Sequence, residues 1–327
     1  MINRLFFQVT TGLWLATLIA GSLALTSCEN TTDDDANISP QYQTAADWFD
    51  ASTNTTAGNY SLFSASLSRA GLTDSIRRNN ITLFVPSDAA FRRAGYADVN
   101  AINAAPIATL QQVLRYHMLR TNVPPSVFET SGTATVTTAG NAMAYINRNT
   151  ATNRVYINNA QLLETQLLSN GGTLYLIDRL LMPPAGNLLQ VAQTNPNLSL
   201  LVAAVRRGGA AVLNALSTSA NPLTVFAPTN AAFQAAGYAD TTAINRADAA
   251  TLQNILTYHV VNGRVFSPFY TTGRVTTLQG GTAAVTVSGN AVTILGSGNG
   301  TSAANVTQPD MMATNGVIHV IDRVLLP

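Results

Sequence analysis

The chain has 327 residues, enough for about two domains that each bury a core. Hydrophobic residues make up 46% and charged ones 10%, against ~25% charged in ordinary soluble domains, so Asn, Thr, Ser and Gln must cover much of the surface. A net charge of +1 gives no electrostatic footprint for nucleic acid, and all 17 basic residues are arginine, which excludes Schiff-base and phosphate-loop lysines.

Residues 1–27 read as a targeting segment. Arg4 supplies a short positive start, and Leu5 to Leu25 is mostly apolar with small residues toward its end. About twenty apolar residues also match the length of a membrane-spanning helix. The ending Leu25-Thr26-Ser27-Cys28 decides between the two, because it resembles the lipobox of bacterial lipoprotein signal peptides. That resemblance implies cleavage before Cys28 and acylation of its thiol. Cys28 is the single cysteine, so no disulfide forms within the chain. Several acyl chains on one residue make a lasting anchor, whereas one chain holds only marginally. Residues 28–43 are polar and acidic without apolar periodicity, the pattern of a tether. The run Asp33-Asp34-Asp35 is similar to export signals that send some lipoproteins to the outer leaflet. Three aspartates in a tether also serve solubility alone, so the expected location is the cell envelope, lipid-anchored at the outer membrane, with the displaying leaflet and surface exposure left open.

The remainder is duplicated. The segment from Thr82 to Phe91 recurs from Thr224 to Phe233, Ala94-Gly95-Tyr96-Ala97-Asp98 recurs unchanged at 236–240, and Leu110–His117 recurs as Leu252–His259. All three keep one offset, and the closing Leu176–Pro183 returns as Val320–Pro327 two residues later in register. Units this long are duplicated domains, since solenoid repeats run only about 20–50 residues. The expected domains are 44–184 and 185–327, meeting at a Pro-Pro-Ala-Gly joint too short to keep them apart.

Each unit opens with helical spacing, as in Leu198, Leu201, Val202 and Val205. A short apolar strand follows, Ile81 to Val85 or Leu223 to Ala227, stopped by Pro86 or Pro228, which have no N–H for a ladder. Ser87 and Thr229 stand where a helix N-cap is wanted. An amphipathic helix comes next, with Pro106 expected in its first turn in copy one. Alternating Thr, Val and Ala through 133–137, 155–157, 283–287 and 291–295 indicate hairpin strands, with glycine-rich 289–300 as a hairpin turn. Helices first and strands afterward make an α+β unit with an antiparallel sheet.

A strand reading Thr-Val-Phe-Ala-Pro-Thr-Asn-Ala-Ala-Phe, a helix ending in Tyr-His, and the closing Asn315–Leu325 resemble a fasciclin domain. Copy two carries all three motifs, and copy one carries a looser version of the third at Asn170–Arg179. The resemblance implies two tandem compact β-sandwiches packed with short helices. It also implies non-catalytic binding of an extracellular protein or polysaccharide in adhesion or attachment. In several animal members the Tyr-His region is linked to integrin recognition, which makes Tyr116, His117, Tyr258 and His259 the candidate binding surface.

The residues themselves favour a different role for the histidines. Leu110, Val113, Leu114 and His117 share one helix face, as do Leu252, Ile255, Leu256 and His259, so both imidazoles belong to an apolar stripe. Tyr116 and Tyr258 fall roughly 100° away, at the flank, with hydroxyls expected to reach solvent. Asp178 and Asp322, in the Ile-Asp-Arg triplets, read as structural aspartates that hold a loop amide beside a solvated arginine. Asp88 becomes Asn230 in copy two, consistent with a cap that needs only an oxygen. His117, His259 and His319 are far apart in sequence and form no local metal motif, and no nucleophile elbow or phosphate loop is present. No cofactor is implied, and the expected protein is not an enzyme. Alternative roles are an accessory glycan-binding lipoprotein of a polysaccharide uptake system and a structural envelope spacer.

Overall fold

The computed structural model describes residues 42–52, 59–128, 133–218, 220–289 and 291–327. Cys28, Asp33-Asp34-Asp35 and the targeting segment lie outside the described residues, as does most of the tether. No helix among the described residues is long and apolar enough to cross a membrane.

In the first domain, helices α1 (Ala45–Ser52) and α2 (Ser61–Ala70) precede strand β1 (Thr82–Pro86). Helices α3 (Asp88–Arg93), α4 (Val99–Ala104) and α5 (Ile107–Tyr116) follow, then strands β2 (Met118–Leu119), β3 (Thr133–Thr137), β4 (Met143–Asn149), β5 (Arg154–Ile157), β6 (Ala160–Leu167) and β7 (Thr173–Ile177). The second domain repeats the order. Its helices α6 (Leu188–Gln193), α7 (Ser199–Arg207) and α8 (Ala210–Thr218) lead to β8 (Leu223–Pro228), and α9 (Asn230–Ala235), α10 (Thr241–Arg246) and α11 (Ala249–Tyr258) come next. Strands β9 (Val260–Asn262), β10 (Gly273–Thr276), β11 (Thr282–Ser288), β12 (Ala291–Leu295), β13 (Ala304–Ala313) and β14 (Gly316–Ile321) complete it.

Each domain holds one seven-stranded sheet, ordered β2-β1-β7-β6-β5-β4-β3 and β10-β11-β12-β13-β14-β8-β9. The α+β class stands, with one departure from an all-antiparallel ladder. The first strand pairs with the last in parallel, Thr82 to Pro86 against Thr173 to Ile177 and Leu223 to Pro228 against Gly316 to Ile321. Both strands of each parallel pair are buried along their whole length. Leu83, Val85, Leu174 and Leu176 point into a core shared with the helices, while Phe84, Tyr175 and Ile177 point into a second core on the sheet's other face. A continuous apolar run is what two buried faces require.

The second core exists because the sheet curls until its edges approach each other. Ala139 N–H donates to Met118 O at 2.7 Å, and Leu278 N–H to Val260 O at 2.7 Å, with a bridge between Val261 and Thr277. Phe84, Ile146, Ile157 and Tyr175 fill the curl in the first domain, and Phe226, Val285, Ile294 and Ile321 in the second. The loop after β2 or β9 is latched by one buried hydroxyl. Thr82 Oγ1 donates to Thr121 O (3.0 Å) and accepts from Val123 N–H (2.7 Å), and Thr224 Oγ1 donates to Gly263 O (2.7 Å) and accepts from Val265 N–H (3.0 Å).

The capping residues do what their types suggest. Ser87 accepts from Ala90 N–H and Thr229 from Ala232 N–H, each at its own helix start. Asp88 and Asn230 cap a neighbouring helix instead, accepting from Leu62 N–H at 2.8 Å and Leu200 N–H at 2.9 Å. An oxygen suffices there, and both residues supply one. Pro106 is the N-cap of α5 and stands one residue before the first turn. The glycine-rich stretch 289–300 is not one turn, because β12 occupies its middle between a tight reversal at Gly289 and a 3-10 turn at Ser297–Asn299.

The two domains touch through residues that the duplication does not repeat. Arg264 lies 4.0 Å over the Tyr145 ring, and its guanidinium donates to the carbonyls of Ala313, Thr314 and Gly316. Tyr156 packs edge-on against Phe269, and Asn149 Nδ2 donates to Pro268 O at 2.8 Å.

Gly316 opens β14, and a Cβ there would sit 2.1 Å from Leu223 O, while its counterpart Gly172 would place one 3.0 Å from Ile81 O. The parallel pair therefore needs bare backbone at its first rung. Gly316→Ala is expected to lower the urea midpoint of the second domain by the equivalent of about 3 kcal/mol. Gly172→Ala should cost less, and equal effects would refute the steric account.

Candidate functional site

The Tyr-His pair ends α5 in one domain and α11 in the other, and it straddles the two cores. His117 turns toward the helical side, its ring 5.9 Å from Phe63. Its Nδ1 faces Val113 O at 2.9 Å, and its Nε2 accepts from Leu181 N–H at 3.0 Å. His259 repeats this with Ile255 O at 2.8 Å and Leu325 N–H at 2.8 Å. A ring nitrogen that accepts from an amide carries no proton, so these partners assign the neutral Nδ1–H tautomer. Burial lowers both imidazoles to about 4, against a smaller upward pull from the helix carbonyl. Each histidine thus ties the end of its helix to the segment that leaves the last strand.

Tyr116 and Tyr258 point the other way, into the curl. The hydroxyl of Tyr116 donates to Met143 O (2.8 Å) and accepts from Asn158 Nδ2 (3.0 Å), and burial raises its pKa to about 12. Tyr258 donates to Thr282 O (2.6 Å) and accepts from Ser297 N–H (3.0 Å). Two expectations are corrected here. The hydroxyls do not reach solvent, because the end of the helix sits between two cores and both of its sides are covered. Nor do Tyr116, His117, Tyr258 and His259 form a contact surface, since their exposures are 0%, 0%, 0% and 1%.

Asp178 Oδ1 accepts from Gln161 N–H at 2.6 Å and Asp322 Oδ1 from Asn305 N–H at 2.7 Å, stapling the last strand to the start of its neighbour rather than to a loop. Both triplets continue past the strand end, so strand alternation does not separate Asp178 from Arg179, whose Nε lies 3.9 Å away. Pro86 and Pro228 close the strands β1 and β8, and the next amides donate to Ile177 O and Ile321 O. These four residues organise backbone.

His319 has a counterpart that its residue type conceals. It pairs with Phe226 as Tyr175 pairs with Phe84. His319 Nε2 lies 2.9 Å from Val265 O, and the hydroxyl of Tyr175 donates to Val123 O at 2.6 Å. Both rings hold the loop that the latching threonine holds. Asp310 N–H donates to His319 Nδ1 at 3.3 Å, and burial lowers the imidazole although the Asp310 carboxylate opposes the shift. That carboxylate also accepts from Ser267 N–H and, across the domain boundary, from Asn159 Nδ2 at 3.2 Å. Among the described residues no group of three His, Cys, Asp or Glu side chains could hold a metal ion.

The fasciclin domain model matches residues 58–183 and again 196–327. The chain belongs to the fasciclin family. Transforming growth factor-beta-induced protein ig-h3 of Sus scrofa is 36% identical over 161 residues, which are 48% of this chain and 21% of that protein. Protein sll1483 of Synechocystis sp. is 39% identical over 145 residues, 44% of this chain and 74% of that one. This chain spans about a fifth to a third of the mammalian ig-h3 proteins that it matches. A solved FAS1 domain pair from the insect cell adhesion molecule fasciclin I aligns with 82% of this fasciclin chain and 96% of its own, at a TM-score of 0.40 and 19% identity. Fasciclin domains are linked to cell adhesion and non-catalytic binding.

Burial of His117 and His259 makes the stability of this fasciclin chain pH-dependent, and His319, also buried and lowered, adds to it in the same direction. An unfolded imidazole titrates near 6.5 and folded His117 and His259 near 4, so the unfolded chain takes up protons that the folded chain refuses. This stabilisation is complete above pH ~6.5 and is lost progressively as pH falls toward 4, by about 3 kcal/mol for each of these two histidines. Urea midpoints of the full chain should fall between pH 7.5 and 4.5. His259→Ala should start lower and show a shallower fall for the second domain; an unchanged slope would remove His259 from the account.

Proposed function

We propose that this fasciclin protein is a cell-envelope lipoprotein, held by an acylated Cys28, that mediates adhesion or attachment by binding an extracellular protein or glycan without chemistry. The observation that carries this reading is the order of parts along the chain. A lipobox-like Leu25-Thr26-Ser27-Cys28 precedes an acidic stretch, and two fasciclin domains in mutual contact follow. The burial of every Tyr-His residue supports binding through other surfaces, because those side chains are occupied in holding the fold.

A test is metabolic labelling in a bacterial host with a palmitate analogue, comparing the natural chain with Cys28→Ser. Label and membrane retention are expected in the first and absent from the second, together with loss of cell attachment. Label retained by the variant, or lacking in both, would overturn the anchor; attachment unaffected by release would overturn the adhesive role.

A further inference from the structure

The first domain carries a cleft of about 350 Å³ between the loop that precedes β1 and the end of α5. Three arginines line it, Arg78, Arg115 and Arg120, and no carboxylate is among its lining residues. Among the described residues none of the three forms an ion pair, and Arg120 makes only a long 3.4 Å contact to Ala139 O. Leu72, Ile81, Met118 and Leu119 give the cleft an aliphatic floor, and Ser75 and Asn79 add neutral polar groups.

The duplication shows what these arginines are not for. The second domain builds the same helix and edge strand with Thr257 where the first has Arg115, and with Asn262 where it has Arg120. The fold does not need the positive charge. Three arginines without an ion pair among the described residues line one concavity, and forked guanidinium donors match carboxylate and sulfate.

We infer that this cleft binds an acidic sugar unit, carboxylated or sulfated, of a polysaccharide. The volume falls at the small end of ligand pockets and suits one or two sugar rings. The aliphatic floor suits a ring face, while Ser75 and Asn79 can meet hydroxyls. A peptide strand finds no ladder to join, because the outer edge of β2 and the end of α5 are already engaged by Ala139 N–H on Met118 O and Gly140 N–H on Arg115 O. Nucleic acid requires an extended basic track, and a net charge of +1 does not supply one. The inference deepens the binding role proposed above by naming a ligand class, and it does not depend on the anchor.

The test uses the full chain in detergent, titrated with polygalacturonate, dextran sulfate and neutral dextran. Binding of at least one acidic polymer, weakened by added salt, with none of neutral dextran, is expected; the polymer preferred tells carboxylate from sulfate. Arg115→Gln with Arg120→Gln should weaken it by about tenfold or more. Arg206→Gln with Arg246→Gln removes the same charge from exposed positions in the second domain and should leave binding unchanged, with melting temperatures confirming that both variants fold. Equal loss in the two variants, equal binding of neutral dextran, or no binding of either acidic polymer would overturn the site. Palmitate labelling is unaffected by these substitutions, so the anchor and the cleft fail separately.

Discussion

In each domain the first strand lies parallel to the last, and most of the architecture follows from that contact. Thr82 meets Thr173 and Leu223 meets Gly316, so the sheet cannot form its centre until nearly the whole domain has been made. The two central strands then have no solvent face. One side must be covered by the helices and the other by the sheet's own curl, which is why each domain has a core on both faces of its sheet. The Tyr-His pair sits where the cores meet, and its two side chains serve one core each. Loss of either partner would leave a buried polar group without its mate, a cost of about 1–3 kcal/mol.

Much of this was written locally. The duplication recorded the same constraints twice, so the capping oxygens at 87 and 229, the strand-ending prolines and the hairpin strands could be read from residue type and spacing. The apolar stripes also placed His117 and His259 in the core. Strand partnership was not legible, because a run such as Ile81 to Val85 announces two buried faces without naming its neighbour. The tyrosines misled for a related reason. A helical wheel assumes one buried face, whereas the last turn of α5 is wedged between two cores.

Differences between the copies carry information that their likeness does not. Where the first domain has Asn122, the second has Arg264, which stacks on Tyr145 and ties down the β13–β14 turn. Where the second has Thr257 and Asn262, the first has Arg115 and Arg120, two of the three arginines of the cleft. Positions held in common maintain the scaffold; positions that diverged join the domains or face outward. Tyr175 and His319 show that the scaffold can also be kept by unlike residues, since both rings restrain the same loop carbonyl.

The parallel pairing also governs how a domain bears load. A pull on the two ends of a domain draws β1 toward its own start and β7 toward its own finish, which are opposite directions along neighbouring strands. The ladder between them is then strained in shear, with all its rungs resisting together, rather than being unzipped one rung at a time. A molecule stretched between a surface and whatever it grips would thus meet tension with the strongest geometry its sheet possesses.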